Sequence, residues 1–139
     1  MKKINYFFID TPEYKKILPP KTWILNCIKK ENCEIIKIDF MFCSDSYLNN
    51  LNNKYLNHNT LTDVITLDHS IQNHLLGDVF ISLDRVKENA KIYKTTLEKE
   101  IARIMIHGVL HLIGYKDKSL DEKKIMAKME NKYLKEKNI

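Results

Sequence analysis

Residues 101–113 read Ile-Ala-Arg-Ile-Met-Ile-His-Gly-Val-Leu-His-Leu-Ile, and this stretch constrains the fold more than any other. Ile101, Ile104, Met105, Ile106, Val109, Leu110, Leu112 and Ile113 cover nearly every side of a helix, so the helix should be buried all round. Two histidines interrupt it. His107 and His111 stand four residues apart, one above the other on a single face, and can bite one ion together. Gly114 then offers the permissive backbone needed to end the helix and fold the chain back, which brings Asp117 round as a third ligand.

Buried imidazoles must find partners, because each unsatisfied polar group costs about 1–3 kcal/mol. One shared cation satisfies both. Two imidazoles and a carboxylate form a borderline-soft donor set that suits a single Zn2+ ion, with other divalent metals acceptable. Three protein ligands leave a fourth position open, the arrangement of a catalytic rather than a structural site.

With 139 residues the chain is expected to form one domain over residues 1–139. A net charge of +5 leans towards a polyanionic partner. The lysines of residues 116–137 are interspersed with acids, however, and a solvated helix face explains them equally well. Cys27, Cys33 and Cys43 are odd in number and form no C-x-x-C pair, which argues against a disulfide framework or a thiolate site and for a reducing compartment. Residues 4–9 are apolar but short, preceded by Lys2 and Lys3 and followed by Asp10, so they read as a strand rather than a signal peptide. No stretch approaches the length of a membrane span, and a cytoplasmic location is expected.

After that first strand, Pro19 and Pro20 open a helix through Trp23, Ile24, Cys27 and Ile28. Residues 34–42 alternate and are rich in β-branched side chains, a second strand. Ser44 caps a helix over about 45–53, and a polar loop with Asn57, His58 and Asn59 follows. Residues 62–67 and 75–82 form two further strands, and Ser82 caps a helix to about residue 94. Thr95 with Glu98 makes a capping box before the histidine helix, and Ser119 with Glu122 another before the last helix, whose apolar face is Ile125, Met126, Met129 and Tyr133. The fold class is therefore α+β: a small mixed sheet of about four strands packed with about five helices, the metal site on a buried helix.

A zinc ion with an open position activates water and polarises a carbonyl or a phosphate alike, so the metal alone does not choose the substrate. Metalloproteases of the H-E-x-x-H type carry a glutamate general base beside the first histidine. Gly108 stands there and cannot take a proton. The longer H-x-x-x-H-x-x-G-x-x-D spacing still leaves a metallopeptidase with metzincin-like ligands as an alternative.

Residues 107–117 match the pattern H-G-x-L-H-L-x-G-Y-x-H at every fixed position but the last. Leu51-Asn52, Tyr55 and Thr62-Asp63-Val64 follow L-N-x-x-Y-R-x-x-D-x-P-T-D-V-L-S-F, and Leu76-Gly77-Asp78-Val79-Phe80-Ile81-Ser82 follows L-G-D-I-x-I-S. Met126 and Glu130 fit M-x-x-x-E. On these motifs, in this order over about residues 48 to 135, the chain resembles the YbeY family of bacterial endoribonucleases.

The resemblance implies a zinc-dependent, single-strand-specific endoribonuclease that matures the 3' end of small-subunit (16S) ribosomal RNA and serves ribosome quality control. Its partners would be ribosomal RNA and the ribosome or small subunit, with no membrane and no DNA. The ligands carry over to His107, His111 and, by position, Asp117. Two departures matter. Asp117 replaces a histidine, adding negative charge that weakens the ion slightly as a Lewis acid and tolerates other divalent metals. Leu56 replaces an arginine expected to hold an RNA phosphate. Lys116, Lys118 and Arg85, then Lys54 and His58, are the candidates to meet the phosphate instead, and no catalytic group beyond an activated water is assigned. Asp63 and Asp78 are expected to form turns at strand boundaries, with orientation of a ligand histidine as the alternative. A non-catalytic ribosome-assembly factor that keeps its metal for stability is the remaining alternative.

Overall fold

The computed structural model describes residues 3–56 and 62–137. In chain order they form β1 (Ile4–Phe8), a short 3-10 turn (Lys15–Ile17), α1 (Lys21–Lys30), β2 (Glu34–Cys43), α2 (Asp45–Leu56), β3 (Val64–Asp68), β4 (His74–Ser82), α3 (Leu83–Ile92), α4 (Leu97–Ile113) and α5 (Leu120–Glu136). This is the α+β order expected, with the added 3-10 turn; the loop expected at Asn57, His58 and Asn59 lies outside the described residues.

The four strands form one sheet in the order β1-β2-β4-β3. β1 and β4 run parallel to β2, while β3 pairs antiparallel with β4, Ile65 opposite Phe80 and Thr66 opposite Val79. Period-two alternation sorts the side chains between two cores. Ile38, Phe40 and Phe42 of β2 and Leu75, Val79 and Ile81 of β4 are fully buried in the main core. There α4 supplies Ile101, Met105 and Val109, α1 supplies Trp23 and Ile24, and α5 supplies Met126 and Tyr133. On the opposite face Leu48 of α2 covers Ile65 and Phe80 in a smaller cluster. Burying one such aliphatic side chain contributes roughly 1.5–3 kcal/mol, so the helix rich in them takes the centre.

Two glycines show how closely α4 lies on the sheet. A Cβ on Gly108 would stand 2.7 Å from a methyl of Val79, and one on Gly77 would stand 2.7 Å from a methyl of Leu112 and from the Leu67 carbonyl. Close approach, rather than flexibility, explains the glycine beside His107.

Ser44, Ser82 and Ser119 cap α2, α3 and α5 as expected, and Ser119 with Glu122 forms the full capping box. The histidine helix differs by one residue. Its cap is Thr96, whose hydroxyl accepts the Lys99 amide at 3.1 Å, and the Thr95 amide is donated to the Ala90 carbonyl in α3 rather than to Glu98 as a capping box needs. The last helix differs too: Ile125 is 52% exposed, and Glu130 is buried on the inward face. Cys27 and Cys43 are buried free thiols, pushed up to about 12 by burial above all, which suits inert core residues. Among the described residues no helix is long and apolar enough to cross a membrane.

Candidate metal centre

Within α4, the spacing of four places His107 and His111 on the one face that the apolar core leaves open. Gly114 caps the helix at φ 127°, a conformation that L side chains rarely adopt. The amides of Gly114 and Tyr115 close back onto the Leu110 carbonyl at 3.1 and 3.0 Å, so the chain reverses tightly. Asp117 returns to the histidines as a result. Ligand atoms of His107, His111 and Asp117 all lie within 4.8 Å of one another, a group that can hold a metal ion.

Hydrogen bonds on the far side of each ring fix what the near side offers. His111 Nδ1 lies 3.0 Å from the Tyr115 carbonyl oxygen, and His107 Nδ1 lies 2.7 Å from Glu130 Oε2. A carbonyl and a carboxylate only accept, so both Nδ1 atoms carry a proton, and the Nε2 atoms of the neutral rings present lone pairs. Those Nε2 atoms are 3.0 Å apart, and Asp117 Oδ2 is 3.3 Å from each. Two lone pairs and an anionic oxygen at such distances repel unless a proton or a metal cation is shared among them. Zinc bonds of about 2.0–2.1 Å would set tetrahedral ligand atoms about 3.3 Å apart, so this donor set fits a divalent ion in spacing and in chemistry.

The supporting shell reaches well beyond α4. Glu130 of α5, buried, also accepts Arg103 Nη1 at 3.0 Å, and Arg103 Nη2 donates to Asn131 at 2.8 Å. Tyr115, whose carbonyl orients His111, is anchored by its hydroxyl to Glu31 at 2.6 Å, and Tyr133 donates to the other oxygen of the same carboxylate. Burial pulls the His107 imidazole down, yet the hydrogen bond and charge of Glu130, with Asp117 and Asp63, outweigh it and leave it above its ordinary value.

Two clefts meet at this point and share His107, Asp117 and Asp63. One, of about 710 Å³, opens between α3, α4 and α5; the other, of about 560 Å³, runs along β3. Asp63, in the bend before β3, bonds its own and the Val64 backbone as expected of a turn residue, and also reaches beyond the bend. Its carboxylate accepts Asn89 Nδ2 at 3.3 Å, its backbone carbonyl accepts the Ser82 amide at 3.0 Å, and burial pushes its carboxyl up. Asp78 sits inside β4 beside Asp39, where burial also pushes its carboxyl up, rather than at a turn.

The phosphate candidates separate in space. Lys118 lines the β3 cleft with both histidines. Arg85 is committed to Asp45, its Nε 3.0 and 3.1 Å from the two carboxylate oxygens, and it lines neither cleft. Lys54 and Lys116 are exposed and line neither, and His58 lies outside the described residues. Sequence reasoning missed Arg103, one turn before His107, and gave Glu130 no role although the M-x-x-x-E motif had marked its position.

Comparison with known proteins agrees with this geometry. The family model described as Endoribonuclease YbeY matches residues 4–138. An Endoribonuclease YbeY of Karelsulcia muelleri is 53% identical over 94% of this chain and 93% of its own length. That of Amoebophilus asiaticus is 44% identical over 96% and 94%. The solution structure of a Thermotoga maritima protein superposes with a TM-score of 0.70 at 25% identity, covering 96% of this chain and 88% of that one. The motifs around the two histidines, the matched span and the shared fold therefore agree: this chain belongs to the YbeY family of endoribonucleases.

Proposed function

We propose that this chain is a divalent-metal-dependent endoribonuclease, with zinc as its metal, that cuts single-stranded RNA in maturing the 3' end of small-subunit ribosomal RNA and in ribosome quality control. It would work as one domain in the cytoplasm, with the ribosome or small subunit as partner. One observation carries the metal dependence: two imidazole lone pairs and a carboxylate oxygen meet within 3.0–3.3 Å. His107, His111 and Asp117 would hold the ion through Nε2, Nε2 and a carboxylate oxygen.

When bound, a divalent ion supplies Lewis acidity towards a phosphodiester and towards water. The protein's own groups do the rest. Glu130 and the Tyr115 carbonyl keep both Nδ1 protons in place, so the rings present their basic nitrogens in one orientation. Asp63 lines both clefts beside His107, and burial raises its carboxyl, so it is the group placed to take a proton from water or give one to the leaving oxygen. Lys118 can meet a phosphate on the β3 side.

The peptidase reading is weakened by packing. Gly108 faces Val79 with no room for a further carbon, so the general-base glutamate of H-E-x-x-H proteases has no place on this helix. Zinc-loaded protein incubated with single-stranded RNA and with casein, each with and without chelator, tests the proposal. Chelator-sensitive RNA cleavage with intact casein is expected; chelator-sensitive casein cleavage with intact RNA would reverse it.

A further inference from the structure

The larger cleft carries features that metal binding does not use. Tyr93, Lys99 and Lys135 line it together with His107 and Asp117. Tyr93 is 68% exposed, and its backbone is fixed by the bond from its amide to the Asn89 carbonyl at 2.9 Å. Its ring is therefore open to water where it lines the cleft. The ammonium groups of Lys99 and Lys135 have no hydrogen bond or ion pair among the described residues, whereas Lys30, Lys37 and Lys137 are paired with Glu136, Asp39 and Glu98.

We propose that this cleft is a subsite for the nucleotides next to the scissile phosphate, in which Tyr93 stacks on a base while Lys99 and Lys135 neutralise backbone phosphates. The inference rests on the endoribonuclease reading above and adds the residues that hold the substrate. An aromatic face with free cations is what a flexible polyanion of stacked bases requires, and it accepts any base. The volume of about 710 Å³ is within the range of small-ligand sites. The acidic groups of the cleft do not oppose this. Glu130 is spent on His107 and Arg103, Asp117 belongs to the metal set, Asp63 accepts from Asn89, and Glu100 is buried.

Both clefts share His107, Asp117 and Asp63, with Lys118 in the β3 cleft, so a strand can cross the metal point with a cation on either side.

The test measures binding of a fluorescent single-stranded RNA oligonucleotide in chelator across a salt series, with hydrolysis of the same oligonucleotide in zinc as second readout. The double variant Lys99→Ala with Lys135→Ala should bind about tenfold more weakly, and its salt slope should shrink by about 1.4, roughly 0.7 for each lost phosphate contact on a single strand. Its kcat should stay within about twofold while KM rises. Tyr93→Ala should also bind about tenfold more weakly, and Tyr93→Phe should restore binding. Lys29→Ala, on the exposed end of α1, is the control and should match wild type. Unchanged slope and affinity in the double variant, or no loss in Tyr93→Ala, while wild type binds and cuts RNA, would overturn the subsite alone. A wild-type protein that neither binds nor cuts RNA would overturn the endoribonuclease reading and the subsite with it.

Discussion

Glu130 on α5 accepts a hydrogen bond from His107 Nδ1 on α4 at 2.7 Å, across 23 residues of sequence, and so decides which nitrogen of that ring faces the metal point. A carboxylate in this role fixes both tautomer and orientation, and its loss usually costs 10–100-fold in metal affinity. Glu130→Gln should therefore weaken zinc binding by about that factor, measured by competition with a chromogenic chelator. Circular dichroism should show the fold retained, since the amide oxygen still accepts from His107 or Arg103. Affinity within twofold of wild type would deny Glu130 its positioning role.

The same pair sets a pH dependence. His107 is raised above its ordinary value of 6.5 in the metal-free fold, where its cationic form is favoured by Glu130, Asp117 and Asp63 despite burial. A folded value above the unfolded one gives stability that is fully present below the unfolded value and is lost as pH rises through the folded value. Thermal midpoints of metal-free protein should therefore fall as pH climbs from about 6.5 upward. Zinc affinity should move the other way, rising about tenfold per pH unit until His107 is neutral, because the ion must displace that proton. Midpoints that rise through this window without metal would contradict the assignment.

Asp63→Asn tests proton transfer separately from metal binding. Removing a positioned acid or base typically costs 10²–10⁴ in rate, so kcat on single-stranded RNA should fall about 100-fold or more. Zinc affinity should change little, because Asp63 is not one of the three converging ligands. Equal losses in metal affinity and in kcat would mean that Asp63 acts only by shaping the centre.

Gly108→Ala probes the contact between α4 and β4. In an exposed helix this change is favourable by about 1 kcal/mol, but here the added methyl would stand 2.7 Å from a Val79 methyl in a fully buried layer. Overpacking of a tight core costs roughly 1–3 kcal/mol, so the net effect should be a lower urea midpoint. An unchanged or higher midpoint would show that the two elements can separate freely.

Local signals carried most of the architecture. The apolar helix, the alternating strands and the serine caps each rest on residues within a few positions of one another and all are found, although α4 is buried on all but the face that carries His107 and His111. The failures are non-local. Thr95 looked like the capping-box residue, but its amide bonds the Ala90 carbonyl and the capping hydroxyl is that of Thr96. Ile125 belongs to the helical stripe of α5, yet it faces water because Glu130 turns the buried face towards His107. Arg85 looked like a free cation near the site; its partner Asp45 lies 40 residues upstream and no spacing rule reveals it. The three converging ligands were legible because helix geometry and one glycine bring them together, whereas Glu130, Arg103 and Asp63 reach the site only through packing.

The central claim is that His107, His111 and Asp117 clasp one divalent ion. Anomalous scattering from crystals grown with zinc, recorded on both sides of the zinc edge, tests it most directly. The account predicts a single strong peak about 2.0–2.2 Å from both Nε2 atoms and one Asp117 oxygen. An empty map at that point, or an ion there with the Asp117 carboxylate turned away, would contradict it.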